Sequence, residues 1–379
     1  MTTPTVTPVA AWTSAPGLPT PAAWYGQHDG PVRLDDGTVI VAGGADSANG
    51  SLSATAVFDG TWDKSGVLAT PRRLHTLTLL RSGKILATGG LNGSTGLASA
   101  ELYDPGTGLW GPTGGLGTAR WGHSAALLPD GSVLVAGGSA TRPGGGASTL
   151  RSAERYDPEH GVWHPAAAMA DARTAHTAVP VSPGGLLVVG GVTAVGTADD
   201  PALAFCERYD PDHNEWTPTG SLARGRRHHR ATLLADGTVL VTGGTAPGSP
   251  GTAPFDPFSQ RAVELFDPDT GRWTTKPEMP SGRALHRTVL LPDDRLLLVG
   301  GAAGDRDEAG YRSALVYDPV DGKWTSAAGL TAGRWSFAAT ALADGRVLVA
   351  GGVARSGLAA ADPAVAELSD STELFGVAQ

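Results

Sequence analysis

A pair of adjacent glycines recurs along the whole chain and sets the period of everything around it. The pairs stand at 43–44, 89–90, 137–138, 190–191, 243–244, 300–301 and 351–352. Neighbouring pairs lie 46 to 57 residues apart. Self-similarity with a period near 50 is typical of radial β-repeats, in which each repeat is one small sheet. The period therefore predicts a ring of sheets.

The stretch Arg120–Trp163 shows what one repeat contains. A first strand follows its Arg-Trp-Gly-His opening, and Asp130-Gly131 turns the chain into a second strand, Val133–Ala136. This second strand is an unbroken apolar run, which is typical of a strand covered on both faces. A third strand ends at Tyr156-Asp157-Pro158, and after a turn the fourth carries the tryptophan. We name these strands a, b, c and d.

The two ends of the chain complement each other. The last repeat has a third strand at Glu373–Phe375 but no fourth, whereas Val9–Thr13 carries Trp12 and belongs to no repeat of its own. Joining the two would remove exposed sheet edges. We therefore predict an all-β, seven-bladed propeller, closed by the N-terminal strand and formed by residues 1–379 as one domain. The blades are expected at about 20–66, 67–115, 116–166, 167–221, 222–278, 279–329 and 330–379 plus 5–15.

With its Gly-Gly, Tyr-Asp-Pro and Trp pattern, the chain resembles the kelch-repeat β-propellers over essentially its whole length. The resemblance implies the fold but not an activity, because one fold hosts many functions. Kelch propellers include peptide-recognition domains, copper-radical oxidases, sugar mutarotases and iron-dependent specifier proteins. The copper site of the oxidases needs a cysteine cross-linked to a tyrosine, and Cys206 stands where other repeats have a core alanine. The Glu-xxx-Asp-xxx-His motif of the specifier proteins does not occur.

Composition narrows the classes of partner. The formal net charge is −9, which disfavours nucleic-acid binding, since that needs a basic face. Cys206 is the only cysteine, so a disulfide framework is excluded. Met1–Ala11 has no basic segment and no apolar run, and no stretch reaches the length of a membrane helix. We expect a cytoplasmic protein without a membrane or nucleic-acid partner.

An Arg-x-x-His motif opens strand a in most repeats and admits two interpretations. Arginines around one mouth of the channel would attract carboxylates or phosphates. Alternatively, each arginine pairs with the glutamate of strand c, and the histidines hydrogen-bond between blades instead of binding a metal. The first blade lacks both members, with Gly26 and Ala56 in their places, as structural pairing predicts. The sixth blade has Arg283 but Leu315 at the glutamate position, so Arg283 is the arginine that we expect to be free.

Departures from the repeat are the more informative positions, since a site in a symmetric ring must break the symmetry. Counted back from its Gly-Gly pair, the first blade has Asp29 at the histidine position, and the seventh blade has Phe337 there. These blades meet where the ring closes, so we predict a small-molecule pocket with few polar groups and an apolar wall. The predicted catalytic residues are Asp29, His28 and Tyr25. The predicted ligand-binding residues are Trp24, Trp121, Arg227, His228, Arg283, Trp335 and Phe337.

Two functions follow from these residues. In the first, the mouth is the site of a cofactor-independent isomerase, cyclase or lyase acting on an anionic or polar small molecule, with proton exchange by Asp29 or His28. In the second, the mouth is a non-catalytic module for an acidic peptide or protein partner. We expect neither a cofactor nor a bound metal.

Overall fold

Four-stranded antiparallel sheets account for most of the computed structural model, which describes residues 10–26, 30–142, 144–193, 202–246, 259–304 and 309–376. These residues form seven such sheets, and within each the strands are ordered a, b, c, d. The predicted all-β, seven-bladed propeller is thereby confirmed. None of the described residues belongs to a helix long and apolar enough to span a membrane.

The strands of the first three blades follow the N-terminal strand β1 (Ala11–Ala15). Blade 1 consists of β2 (Val32–Arg33), β3 (Val39–Ala42), β4 (Thr55–Phe58) and β5 (Trp62–Lys64). Blade 2 consists of β6 (Thr76–Leu79), β7 (Ile85–Thr88), the hairpin β8 (Leu91–Asn92) and β9 (Thr95–Gly96), β10 (Ala100–Asp104) and β11 (Leu109–Thr113). Blade 3 consists of β12 (Ser124–Leu127), β13 (Val133–Ala136), the hairpin β14 (Ser139–Thr141) and β15 (Ala147–Thr149), β16 (Ala153–Asp157) and β17 (Val162–Ala166).

The remaining blades continue the same order. Blade 4 consists of β18 (Thr177–Val181), β19 (Gly185–Val189), β20 (Cys206–Asp210) and β21 (Glu215–Pro218). Blade 5 consists of β22 (Arg230–Leu233), β23 (Val239–Thr242), β24 (Val263–Asp267) and β25 (Arg272–Lys276). Blade 6 consists of β26 (Arg287–Leu290), β27 (Leu296–Val299), β28 (Ala314–Asp318) and β29 (Lys323–Ala327). Blade 7 consists of β30 (Ala338–Ala341), β31 (Val347–Ala350), β32 (Val353–Arg355), a 3-10 turn (Gly357–Ala359), β33 (Glu367–Leu368) and β34 (Thr372–Gly376).

Strand a lies innermost in the ring. The first strands of neighbouring blades contact one another, as β12 does with β6 and with β18. They therefore line a central channel. The starts of strand a and the connections after strand b surround one opening of this channel, which we call the mouth.

The hydrophobic core lies between neighbouring blades. Strand b is fully buried, as its apolar sequence predicts; β13 is an example. In one core cluster, Leu134 and Ala153 of blade 3 pack with Leu186 and Val188 of blade 4. Each blade thus buries its faces against the next, and the ring needs every blade.

The Gly-Gly pair is required by close approach of two blades. Gly137 has a φ of 66°, and a Cβ there would lie 2.7 Å from the carbonyl oxygen of Arg173 in the next blade. Such a contact is closer than side chains tolerate, so only glycine fits. The repeat of this pair along the chain therefore reports the repeat of the blade interface.

The N-terminal strand closes the ring, as predicted. β1 pairs antiparallel with β34, with Trp12 opposite Phe375, and completes the sheet β1-β34-β31-β30. The ring centroids of Trp12 and Phe375 lie 5.1 Å apart. The same spacing joins the strand c tyrosine to the strand d tryptophan elsewhere, 5.0 Å for Tyr156 and Trp163.

Candidate functional site

The arginines that open strand a are structural. Except in blade 6, each has its guanidinium buried against the strand c glutamate of its own blade, and burial lowers the arginine pKa while the glutamate opposes that shift. The pairs are Arg72–Glu101 at 2.6 Å, Arg120–Glu154 at 2.7 Å, Arg173–Glu207 at 2.8 Å, Arg226–Glu264 at 2.5 Å and Arg334–Glu373 at 2.8 Å. The structural interpretation of the motif is thus confirmed for these five blades.

Arg283 does not have the freedom that the sequence suggested. Its side chain is 1% exposed, and its Nη2 donates to Ser281 Oγ at 3.0 Å and Ser313 Oγ at 3.1 Å. The guanidinium also lies 5.3 Å from the ring centroid of Tyr311. Hydroxyls and an aromatic face surround the cation, so the expectation of a free arginine was wrong. The buried side chain presents no surface at the mouth.

The histidines of the motif join neighbouring blades. The Nε2 of His176 lies 3.0 Å from Ser124 Oγ, and that of His229 lies 2.9 Å from Thr177 Oγ1, both across a blade interface. Burial is the main cause that lowers the pKa of His75, to about 3, and it also lowers the pKa of His286. Among the described residues no group of three or more His, Cys, Asp or Glu side chains could hold a metal.

The first blade is aligned differently from the count based on its Gly-Gly pair. The backbone N–H of Gly352 donates to Ala22 O, as that of Gly138 donates to Arg173 O, so Ala22 and not Gly26 has the arginine position. A Cβ on Gly351 would meet the ring of Trp24, where blades 2 to 6 have the histidine ring. Trp24 therefore fills that space. Asp29 and His28, two of the predicted catalytic residues, lie outside the described residues.

The predicted aromatic wall is part of the core. Trp24 is 2% exposed, Trp335 1% and Phe337 0%, and each belongs to a different hydrophobic cluster. Phe337 packs where a histidine would otherwise bond, and a Cβ on Gly300 would touch its ring at 2.6 Å. These three side chains support the closure of the ring, and they lie beneath the surface that a ligand could reach.

A segment of blade 7, residues 353–368, covers part of the mouth, and we call it the blade 7 cap. The N–H of Gly310 donates to Ala354 O at 2.9 Å, and the N–H of Ala366 donates to Ser47 O at 2.9 Å. Ala366 and Leu368 pack on the cluster that contains Trp335. The cap thus bridges blades 6, 7 and 1.

A pocket of about 390 Å³ opens between the blade 7 cap and blades 1 and 2. Tyr25 and Arg73 lie in its wall, together with the turn 47–49 and residues 363–366 of the cap. Burial raises the pKa of the Tyr25 hydroxyl, and the nearby Arg73 cation opposes that shift. Tyr25 is the predicted catalytic residue that belongs to the described part of the chain, and it lies in the wall of this pocket.

The residue after each arginine position forms the rim of the mouth, since it pairs with the residue that follows the Gly-Gly pair of its own blade. In blades 6, 7 and 1 the rim residues are buried. In blades 2 to 5 they are half-buried, and we call this part the open rim. The open rim consists of Arg73, Trp121, Thr174 and Arg227.

Two positive side chains flank the apolar part of the open rim. Trp121 and Arg227, two of the predicted ligand-binding residues, lie at the rim, and His228 follows with a φ of 55°. Arg227 Nε is buried and has no hydrogen-bond partner among the described residues. Arg73 was missed, although it has the same place in the repeat as Trp121 and Arg227. Its Nη1 donates to Ser51 Oγ and Gly93 O, both at 3.0 Å.

Comparison with known sequences finds relatives for part of the chain. The Kelch motif matches residues 73–110 and 120–170. Kelch-like protein 34 of Homo sapiens is 30% identical over 197 residues, which cover 52% of this chain and 28% of that protein. Kelch-like protein 15 of Mus musculus is 26% identical over 215 residues, covering 54% of this chain and 34% of that protein. The similarity thus spans about a third of these relatives' length or less.

Solved structures resemble nearly the whole chain. A fungal alcohol oxidase of the AA5 family, in complex with copper, has a TM-score of 0.71 at 17% identity and covers 98% of this chain and 76% of its own. YjhT has a TM-score of 0.60 at 17% identity and covers 81% of this chain and 95% of its own. Similarity at this identity shows a common fold and nothing about the site.

Proposed function

Because the chain is a kelch-repeat β-propeller, we propose that it is a binding module whose mouth recognises an acidic segment of a partner protein. The observation that carries this proposal is the open rim, where Arg73 and Arg227 stand at equivalent positions on either side of Trp121. All three side chains are half-buried, so each is held by the fold and still reaches the surface.

The chemistry of the open rim suits a carboxylate-bearing segment. Guanidinium groups bind carboxylates through paired N–H donors, and Arg227 Nε is a buried donor without a partner among the described residues. A large aromatic side chain between the cations supplies apolar contact, as anchors do at the centre of protein interfaces. In a chain of net charge −9, a cationic mouth would also orient an acidic partner.

The test is a titration with a labelled peptide of alternating glutamate and leucine, at low and at moderate salt. We expect saturable binding that weakens with salt, and at least tenfold weaker binding by the double variant Arg73→Ser/Arg227→Ser, since both charge contacts are lost.

A matched control for this titration is the double variant Arg272→Ser/Lys323→Ser, which removes the same two charges from exposed positions on strand d of blades 5 and 6. It should leave peptide affinity within about twofold of the native protein, because an exposed distant charge is screened. Equal losses in the two variants, or no saturable binding at low salt, would overturn the proposal.

A second candidate is a small-molecule site in the pocket beside Tyr25 and Arg73. Its volume of about 390 Å³ falls within the range of ligand pockets. In this version the ligand is anionic or polar, Tyr25 assists proton transfer, and Asp29 or His28 remains the proposed acid or base of an isomerase, cyclase or lyase. A mouth that binds no acidic peptide would favour this second candidate.

A further inference from the structure

Two arginines break the repeat inside the channel. The first residue of strand a follows the histidine, and in blades 2 to 4 it is Thr76, Ser124 or Thr177. Each of these hydroxyls is the hydrogen-bond partner of the histidine of the next blade. Blades 5 and 6 instead have Arg230 and Arg287 at this position.

With arginine at position 230, the histidine of blade 6 uses a different hydrogen-bond partner in blade 5. His286, which would otherwise bond to a residue at the Arg230 position, has its Nε2 2.8 Å from Thr242 Oγ1 of strand b. In the seventh blade, Phe337 needs no such partner. Threonine at position 230 could make the ordinary hydrogen bond to His286 without placing a half-buried charge in the channel. The presence of arginine therefore indicates a role other than joining blades.

Arg230 and Arg287 make the same hydrogen bond to the next blade. Arg230 Nε donates to His286 O at 2.9 Å, and Arg287 Nε donates to Phe337 O at 2.6 Å, in each case the residue at the histidine position of the next blade. Arg287 is 6% exposed, and its Nη2 also donates to Trp24 O at 2.8 Å. These bonds fix both side chains within the channel.

Both arginines line the same cavity of about 290 Å³. Thr232 and Thr288 lie in its wall with their hydroxyl oxygens 2.7 Å apart, and Gly30 and Pro31 of blade 1 also line it. Two cations that face one cavity raise the local positive potential, and low-dielectric walls strengthen its effect on an anion. The threonine hydroxyls add donors that can reorient toward an oxygen.

We propose that this channel cavity, which we call the channel site, binds one small oxyanion, a carboxylate or a phosphate, between Arg230 and Arg287. The two guanidiniums keep their hydrogen bonds to the protein and bind the anion in addition. The hydroxyls of Thr232 and Thr288 donate further hydrogen bonds to it. The channel site lies on strands β22 and β26 inside the ring, so it is separate from the open rim.

Calorimetric titration with inorganic phosphate and, separately, with acetate tests the channel site at low chloride. We expect saturable binding of at least one of the two anions, and the pair of titrations identifies which oxyanion chemistry is preferred. Arg230→Thr restores the residue that blade 4 has at this position and should weaken binding at least tenfold. Arg287→Thr should do the same, and Thr232→Val should weaken binding to a smaller extent.

Two controls separate the channel site from general effects. Thr78→Val alters the equivalent threonine of blade 2, which does not line this cavity, and should leave anion affinity unchanged. Arg227→Ser alters the open rim and should also leave it unchanged, so failure of the peptide proposal is distinguishable. No saturable binding of either anion, or native affinity in Arg230→Thr, would show that the arginines only brace the ring.

Discussion

A buried guanidinium in this ring is compensated by groups that come from several parts of one blade. Arg226 donates from Nη1 to Gly243 O and Ala262 O, both at 3.0 Å, and from Nη2 to Glu264. The glutamate also accepts the backbone N–H of Ala223 at 2.8 Å. One carboxylate thus neutralises the Arg226 cation and accepts a backbone N–H from the connection between two blades. Removing it would leave the Arg226 cation buried without its counter-charge and the N–H of Ala223 without its acceptor, which is destabilising.

Glu264→Leu should lower the free energy of unfolding by about 3 to 5 kcal/mol, because it leaves an uncompensated buried charge. Glu154→Leu should cost less, since Ser152 Oγ remains 3.1 Å from Arg120 Nη2. Blade 5 has Ala262 where blade 3 has that serine. Urea unfolding of both variants measures the difference.

Blade 6 suggests the matched rescue, since Ser313 and Leu315 there have the places of Ala262 and Glu264. The double variant Ala262→Ser/Glu264→Leu should recover part of the stability lost by Glu264→Leu. If it recovers none, the hydroxyl is not what substitutes for the carboxylate in blade 6.

The sequence allowed prediction of these residues where a partner stands at a constant distance along the chain. Each paired arginine donates to the first glycine of its Gly-Gly pair, 17 residues later. Counting back from the Gly-Gly pair therefore locates the arginine in these blades. The count failed in the first blade because Ala22 lies 21 residues before Gly43. It also could not show that serine hydroxyls and Tyr311 surround Arg283, since that depends on side-chain packing.

At the scale of the element, a tryptophan of strand d hydrogen-bonds each blade to the preceding one. Trp163 Nε1 donates to Gly114 O at 2.8 Å, and Trp216 Nε1 donates to Ala167 O at 2.8 Å. Trp12 Nε1 does the same to Ala328 O at 2.7 Å. The closing strand therefore uses the contacts of an ordinary strand d, although the chain does not connect it to its own blade.

Trp12→Ala should loosen the closure selectively. The tilted ring contact with Phe375 and the hydrogen bond to Ala328 O would be lost, and we expect a loss of about 2 to 3 kcal/mol, below the range for fully buried tryptophans because Trp12 is half-buried. Hydrogen exchange of the amides of β34 should rise, since β1 is its edge partner. Trp163→Ala is the control, and it should leave exchange in β34 unchanged. Equal exchange of β34 in the two variants would contradict a special role for the closing strand.

The elements around the mouth were less predictable than the blades. Strands a to d and the closure follow from short periodic patterns whose partners are near in the repeat. The hairpins β8–β9 and β14–β15 and the blade 7 cap lie in connections after strand b that differ from blade to blade. Which rim residues are exposed depends on these connections. The repeat therefore indicates where a rim residue lies but not whether a ligand can reach it.

At the scale of the whole molecule, buried imidazoles lie at the interfaces between successive blades from blade 1 to blade 6. His75, His229 and His286 all have a pKa lowered mainly by burial, and the cation of the same motif contributes: Arg72, Arg226 and Arg283 respectively. A proton on any of these rings would place a charge in a buried interface beside a cation. Because the blades form one closed ring, protonation at one interface opposes the folded state as a whole.

The sign of the pH dependence follows from this. Between pH 7 and 5 the unfolded chain binds protons at these histidines and the folded protein does not, so stability must fall as the pH falls. His75, with its folded pKa of about 3, is in its neutral form throughout this window. It should contribute a loss on the order of 2 kcal/mol between pH 7 and 5, and His229 and His286 add to it in the same direction.

Urea unfolding at pH 7 and 5 measures this loss, and His286→Phe tests its origin. Blade 7 already has Phe337 at the same position, so phenylalanine fits the interface there. The variant should lose less stability between pH 7 and 5 than the native protein, even if it is less stable at pH 7. His160→Gln is the control, because His160 is exposed and the side chain of Asp157 raises its pKa, so its removal cannot reduce the loss. An unchanged loss in His286→Phe would show that acid destabilises the ring through other groups.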